Sequence, residues 1–217
     1  MNKNSFSPLL VEHMDQEFEL HPLGAVYWSD SNALLLADTH FGKASHFQKN
    51  GIALPTQPLF QELENLQFLI DYYPCEKVYI LGDLFHSDIN EEWAIIEAFF
   101  NSQSIDIILI LGNHDKIPSF YLERTDLKVY DQLRVNNILL RHHPLSSKAV
   151  ENHICGHIHP AVSMRGYGRQ RLKLPCFFLP THQLMLPSFG LLTGTHTIKP
   201  KAGESVYVIA DDSVIKV

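Results

Sequence analysis

The sequence predicts a mixed α/β fold, two β-sheets forming a core flanked by helices, with residues 1–217 acting as one domain. Three observations lead there. Short apolar runs alternate with two amphipathic helical stretches as far as residue 111. Helical periodicity disappears after residue 165. Beyond that point apolar runs broken by Pro and Gly continue to the end.

In chain order, EFEL (17–20) and AVYW (25–28) read as strands, separated from ALLLA (33–37) by the turn-forming Ser29-Asp30-Ser31-Asn32. Residues 56–72 read as a helix. Leu59, Leu63, Leu66 and Ile70 share one stripe, and Thr56 with Pro58 forms the entry signal. KVYIL (77–81) is a short buried strand. Residues 90–101 form a second helix with Trp93, Ile96 and Phe100 on one face and Asn90 as its cap. DIILIL (106–111) is almost continuously apolar, which predicts a central strand covered on both faces. ILLR (138–141) and HIC (153–155) are further short strands, and CFFL, LML, GLL and SVYVIA close a second sheet.

Composition narrows the function classes. No apolar run approaches the roughly 20 residues needed to span a bilayer, and MNKNSFSPLLVEH lacks the apolar stretch of a signal peptide. Cys75, Cys155 and Cys176 are odd in number and widely spaced, which predicts reduced thiols and a cytoplasmic protein. A net charge of −7 argues against binding nucleic acid through overall electrostatics. A pair of bound divalent ions would add about +4 locally. Thirteen histidines are the compositional oddity.

Their placement carries the functional reading. ALLLA ends in Asp38-Thr39-His40, and VYIL in Gly82-Asp83. IILIL ends in Gly112-Asn113-His114-Asp115, ILLR in His142-His143-Pro144, and HIC in Gly156-His157-Ile158-His159. Sites in such folds assemble at the carboxyl ends of strands, so these clusters are expected on one rim. Carboxylates and neutral imidazoles suit Mn²⁺, Fe²⁺ or Zn²⁺. On an extended segment Asp38 and His40 would point to one side and reach one ion, and the same spacing covers His157 and His159. Glycines before Asp83, Asn113 and His157 permit tight turns where strands stop. His13, His21, His153, His182 and His196 read as ordinary surface or core histidines. Phe99, Phe100, Phe177 and Phe178 read as core, and Cys155 has no base beside it for nucleophilic use.

Asp-x-His, Gly-Asp, Gly-Asn-His-Asp, His-x-Pro and Gly-His-x-His, in that order over residues 38–159, resemble the calcineurin-like metallophosphoesterases. More narrowly, LLLADTHFGKASHFQKNGIALP, LGDLFHS, GHIHPAV, GYGRQRLKLPCF and LMLPSFGLLTG resemble the bacterial DNA-ligase-associated, DNA-damage-response phosphoesterases. Thr39 and Phe41 stand where that subfamily has mostly aliphatic residues. The resemblance implies a four-layer α-β-β-α sandwich with its metal site at strand carboxyl ends. It implies two divalent ions, with manganese expected and iron or zinc as alternatives. It also implies a nuclease or phosphodiesterase role in DNA repair, in association with an ATP-dependent DNA ligase, a helicase and a second nuclease. The alternative substrate is a nucleotide or cyclic nucleotide.

By the same resemblance Asp38, His40, Asp83 and His159 hold one ion. Asp83 bridges to a second, which takes Asn113, His142 and His157. His142 is chosen as the first residue of the His-x-Pro step; on an extended chain His143 would point the other way, and it stays open as the alternative. A hydroxide between the ions would be the nucleophile. His114 would stabilise transition-state charge or protonate the leaving oxygen, with Asp115 orienting it. Lys43, His46, His86 and Ser87 follow ligand loops and are candidate substrate contacts. Arg165, Arg169, Arg171 and Lys173 form the one dense basic run, which reads equally as a phosphate-backbone contact or a solvated hairpin face.

Overall fold

Two sheets organise the computed structural model, which describes residues 5–43, 57–86, 89–146, 148–165 and 171–217. The first sheet contains β1 (Leu9–His13), β2 (Gln16–Leu20), β3 (Val26–Trp28), β4 (Ala33–Leu36), β5 (Lys77–Leu81), β6 (Asp106–Ile110) and β7 (Lys128–Tyr130), in that spatial order. β1 to β4 pair antiparallel, and β4 to β7 pair parallel. Parallel neighbours need crossover connections. α1 (Gln57–Tyr72) supplies the first, α2 (Trp93–Asn101) the second, and α3 (Ser119–Leu122) lies in the third.

The second sheet contains β8 (Leu133–Val135), β9 (Ile138–Leu140), β10 (His153–Cys155), β11 (Pro160–Arg165), β12 (Arg171–Leu179), β13 (Gln183–Met185), β14 (His196–Thr197), β15 (Ser205–Ala210) and β16 (Ser213–Lys216). Its order is β14-β11-β12-β13-β10-β9-β8, with β15 paired to β12 and β16.

The period-2 alternation of the strands divides the core. Leu35, Tyr79, Leu81, Ile108 and Ile110 face Leu140, Ile154, Phe177 and Leu184 of the second sheet. Leu34, Leu36, Val78, Ile80, Ile107 and Leu109 face the helices, meeting Leu59, Leu63, Leu66, Leu69, Trp93, Ile96 and Phe100. DIILIL is therefore covered on both sides, as its unbroken apolar run predicts.

The expected two-sheet sandwich is present, and the described helices all cover the first sheet. On the outer face of the second, Cys176, Val206 and Val208 form a small strand-borne cluster. The β-rich sequence after residue 160 provides no helical stripe to cover it. Two local expectations change. Leu69 rather than Ile70 completes the buried stripe of α1. GLL is a turn, closed by Thr193 N–H donating to the Gly190 carbonyl at 3.1 Å. Asn90 does serve the start of α2, accepting from Glu92 N–H at 2.9 Å. Among the described residues no helix is long and apolar enough to cross a membrane.

Phe177 is fully buried between the sheets. Phe177→Ala should cost about 3–5 kcal/mol of stability in denaturant unfolding. A loss below about 1 kcal/mol would show that the two sheets do not depend on this contact.

Candidate metal centre

The parallel strands β4, β5 and β6 release their chains at one end of the sandwich, and the parallel pair β9–β10 does the same from the other sheet. The loops are stitched together through their backbones. Asp38 N–H donates to the Gly82 carbonyl at 3.0 Å, His40 N–H to the Asp83 carbonyl at 2.9 Å, and Gly156 N–H to the His142 carbonyl at 3.2 Å. The Thr39 hydroxyl donates to the Leu84 carbonyl at 2.8 Å, so this departure from an aliphatic residue ties two ligand loops together.

Neither pair of alternate residues is extended, contrary to the spacing argument. Asp38 has φ 54, His40 φ 46, Asp83 φ 53, His157 φ 69 and His159 φ 52, all left-handed. Such conformations in non-glycine residues cost about 1–3 kcal/mol each and persist where surrounding structure fixes them. The consequence is that His157 and His159 part company. His159 joins Asp38 and His40, whose ligand atoms lie within 4.8 Å of one another, while His157 joins His142 and His143 in a second such group.

In the first group, His159 Nδ1 lies 3.1 Å from the Gly194 carbonyl, which can only accept, so this nitrogen carries the proton. His159 Nε2 then presents a lone pair, 3.2 Å from Asp38 Oδ1. Both atoms are buried without a hydrogen-bond partner. Two electron pairs face each other, an arrangement that fits a cation between them.

The second group centres on His142. His142 Nδ1 donates to the Leu81 carbonyl at 2.9 Å. Its Nε2 faces Asn113 Oδ1 at 3.1 Å, His157 Nδ1 at 3.1 Å and Asp83 Oδ1 at 3.4 Å. Burial opposes protonation of His142, but its hydrogen bond to Asp83 and the charge of Asp38 raise its pKa overall. His143 does not point away; its ring lies 4.1 Å from that of His157 and its ligand atom shares this group.

Asp83 stands between the groups, with Oδ1 toward His142 and Oδ2 3.8 Å from His40 Nε2. Burial pushes its carboxyl up, but the His142 hydrogen bond and His114 N–H, at 2.9 Å from Oδ1, hold it well below the usual carboxylate range. Burial pushes His40 down to about 3 and also lowers His157. Ionised carboxylate and neutral imidazole are the forms that bind metals.

Three glycines make this density possible. A Cβ would stand 2.3 Å from His142 Nδ1 at Gly82, 2.2 Å from Asp83 Oδ1 at Gly112, and 2.4 Å from Asp38 Oδ2 at Gly156. Close approach, more than turn geometry, is their common requirement, and only Gly82 of the three has a positive φ.

Around the rim, the exposed His114 ring lies 5.6 Å from that of His40 and 5.7 Å from that of His86. His86 is 5.3 Å from His40 by ring centroids. Half-buried Lys43 has its pKa lowered by burial against the pull of Glu62, and its charge helps keep His40 neutral. Asp115 does not orient His114. Its oxygens accept from the N–H groups of Gly112, Asp83 and Leu84 at 2.8, 2.8 and 2.7 Å, and from Phe85 at 3.4 Å. Asp115 is a positioning residue that locks the β5 loop to the β6 loop. Arg165 lies at the end of β11, while His46, Ser87 and Arg169 fall outside the described residues. Sequence reasoning missed the carbonyls of Leu81 and Gly194 that orient His142 and His159, because backbone acceptors leave no residue-type signal. It also missed Ser188, whose hydroxyl donates to the Asp38 carbonyl at 2.9 Å, and buried Glu62, which accepts from Leu191 N–H at 2.7 Å.

Residues 32–174 match the family model of the calcineurin-like phosphoesterases. The chain belongs to that family. It is a hydrolase of phosphoester bonds, of a class that uses divalent metals, and the groups above are its candidate ligands. It is similar to the Pseudomonas putida nuclease MPE, with 29% identity and a TM-score of 0.80, over 97% of this chain and 100% of that one. A fainter likeness, 22% identity and a TM-score of 0.43, covers 63% of this chain and 82% of the Aquifex aeolicus protein of unknown function AQ665; it carries no argument. No curated protein matches the chain.

Gly112→Ala should displace the Asp83 carboxylate and weaken divalent binding by about 10–100-fold in calorimetric titration, as loss of a ligand's support does. Wild-type affinity would show that the close approach is not required. Asp115→Asn should cost about 1–3 kcal/mol, because an amide cannot accept from all the N–H groups its carboxylate serves. Unchanged stability with a loss confined to turnover would restore Asp115 as an orienter of His114.

Proposed function

We propose that the chain is a dinuclear metal-dependent phosphodiesterase that cleaves nucleic acid, with a role in DNA repair. One observation carries the two-metal reading: two groups of converging ligand atoms flank Asp83, which turns one carboxylate oxygen toward each. The first ion is assigned Asp38, His40, Asp83 and His159. The second is assigned Asp83, Asn113, His142 and His157, with His143 within reach. Oxygen and imidazole donors without a thiolate suit manganese, with iron or zinc as alternatives. The three free cysteines are buried, which also supports a cytoplasmic protein. The inter-sheet core draws on residues from Val11 to Val214, which supports one domain over the whole chain.

When bound, such a pair of ions neutralises charge on the phosphoryl group and provides an activated water. The protein's side chains do the rest. His114, on the rim beside His40, is placed to stabilise charge on the phosphoryl oxygens or to give a proton to the leaving oxygen. Lys43 and His86 border the same opening and are assigned to the non-bridging oxygens. Asp115 and the three close-approach glycines keep the ligand loops in register.

The nuclease assignment is supported by similarity to the Pseudomonas putida nuclease MPE over nearly the full length of both chains. Motifs resembling the DNA-ligase-associated subfamily support a repair role beside an ATP-dependent ligase, a helicase and a second nuclease. The net charge of −7 favours a second reading, a nucleotide or cyclic nucleotide phosphodiesterase.

Hydrolysis of bis(p-nitrophenyl) phosphate should require added Mn²⁺ and stop on chelation. Asp83→Ala should abolish it. His114→Ala should lower kcat by about 10²–10⁴-fold with metal still bound. Turnover that survives chelation would overturn the metal mechanism, and nucleotides outcompeting DNA oligonucleotides would favour the second reading.

A further inference from the structure

The chain between β13 and β14 contains no candidate ligand, yet it bonds to two ligands of one ion. Leu186 belongs to the inter-sheet core and Phe189 to the core between the first sheet and the helices, so the chain crosses the end of that sheet. It crosses where β4 stops. Phe189 N–H donates to the Ala37 carbonyl at 2.9 Å, and Gly190 N–H to the Asp38 carbonyl at 3.2 Å. The Ser188 hydroxyl donates to the same Asp38 carbonyl at 2.9 Å. The approach is close: a Cβ on Gly190 would stand 2.4 Å from the Thr39 carbonyl oxygen. Further along, the Gly194 carbonyl accepts from His159 Nδ1 at 3.1 Å, and His196 N–H donates to the His159 carbonyl at 2.8 Å. Among the described residues, no other stretch without a ligand bonds to both Asp38 and His159.

Glu62 of α1 fastens this stretch from the helix side. Among the described residues the buried carboxylates are Asp38, Asp83, Glu62 and Glu92, and the first two are candidate ligands. Glu62 accepts from the N–H of Leu191 at 2.7 Å, directly after the glycine that meets Asp38. Burial pushes the Glu62 carboxyl up to about 8; the Leu191 N–H and Lys43 oppose the rise, and Glu92 adds to it. An apolar side chain on this face of the helix would avoid the cost of burial and lose the bond. The position therefore holds a costly group whose one hydrogen bond to a neighbouring loop reaches the metal centre.

We infer that residues 188–196 form a strap that orients the first ion's ligands, and that Glu62 is the positioning residue that anchors it, so that Glu62 sets affinity for the first ion and not for the second. The inference rests on the two-ion reading proposed above and deepens it. The selectivity follows from the partners. Asp38 and His159 belong to the first ion's assigned set and are absent from the second's. The second ion's His142 takes its orientation from the Leu81 carbonyl, and the shared Asp83 accepts from His114 N–H; the strap supplies neither bond. A ligand held by hydrogen bonds on its far side keeps its direction, and losing such a partner weakens metal affinity by about 10–100-fold.

The test is calorimetric titration of the metal-free protein with Mn²⁺. The wild type should bind two ions. Glu62→Ala should weaken one binding event by about 10–100-fold and leave the other unchanged, and the weakened event should be the one that His159→Ala removes. Glu62→Gln keeps a carbonyl oxygen for the Leu191 N–H and should titrate like the wild type. Ser188→Ala, which removes a bond to the Asp38 carbonyl without touching α1, should weaken the same event, and it carries the test if Glu62→Ala does not fold. Two undiminished events in both alanine variants, or an equal loss at both events, would overturn the strap. So would a glutamine variant as impaired as the alanine one. A wild-type chain that binds fewer than two ions would instead overturn the two-ion reading beneath it.

Discussion

Electron pairs and anionic oxygens that converge at a buried rim repel one another unless something positive stands between them. That repulsion governs the structure around residues 38–159. His159 Nε2 faces Asp38 Oδ1, and His142 Nε2 faces oxygens of Asn113 and Asp83 together with a nitrogen of His157. In each of His142 and His159 a backbone carbonyl accepts from Nδ1 and so turns Nε2 toward the other donors. Stability is given up to hold these groups together, and a divalent cation is the partner that recovers it.

The fold bears this burden through rigid elements. Parallel strands from both sheets deliver the ligand loops to one end, and the inter-sheet core fixes the strands. Five donors with left-handed backbone and three glycines with no room for a Cβ show how tightly the loops are compressed. Asp115 neutralises four backbone N–H groups and so joins the loops after β5 and β6. Strain of this kind is what a preformed metal site should contain.

Much of this was legible in the sequence. The central strands were, because apolar runs ending in Asp, Asn and His mark strand ends that carry chemistry. The helical stripe of Leu59, Leu63 and Leu66 was legible by periodicity. The edge strands β1, β7, β8, β14 and β16 were not, because short half-exposed segments lack an alternation that stands out. The local geometry of the donors was also hidden. Alternation on an extended chain predicts a common direction for His157 and His159, whereas left-handed turns send them to different groups. Asp115 read as a catalytic partner because it follows His114; its buried backbone contacts exist only once the strands are assembled.

The most direct test is anomalous diffraction from crystals grown with Mn²⁺. Two peaks about 3.5–4 Å apart, with Asp83 contributing one oxygen to each, are the expected result. A single peak, or none with Asp83 and His142 still in contact, would contradict a paired-metal centre.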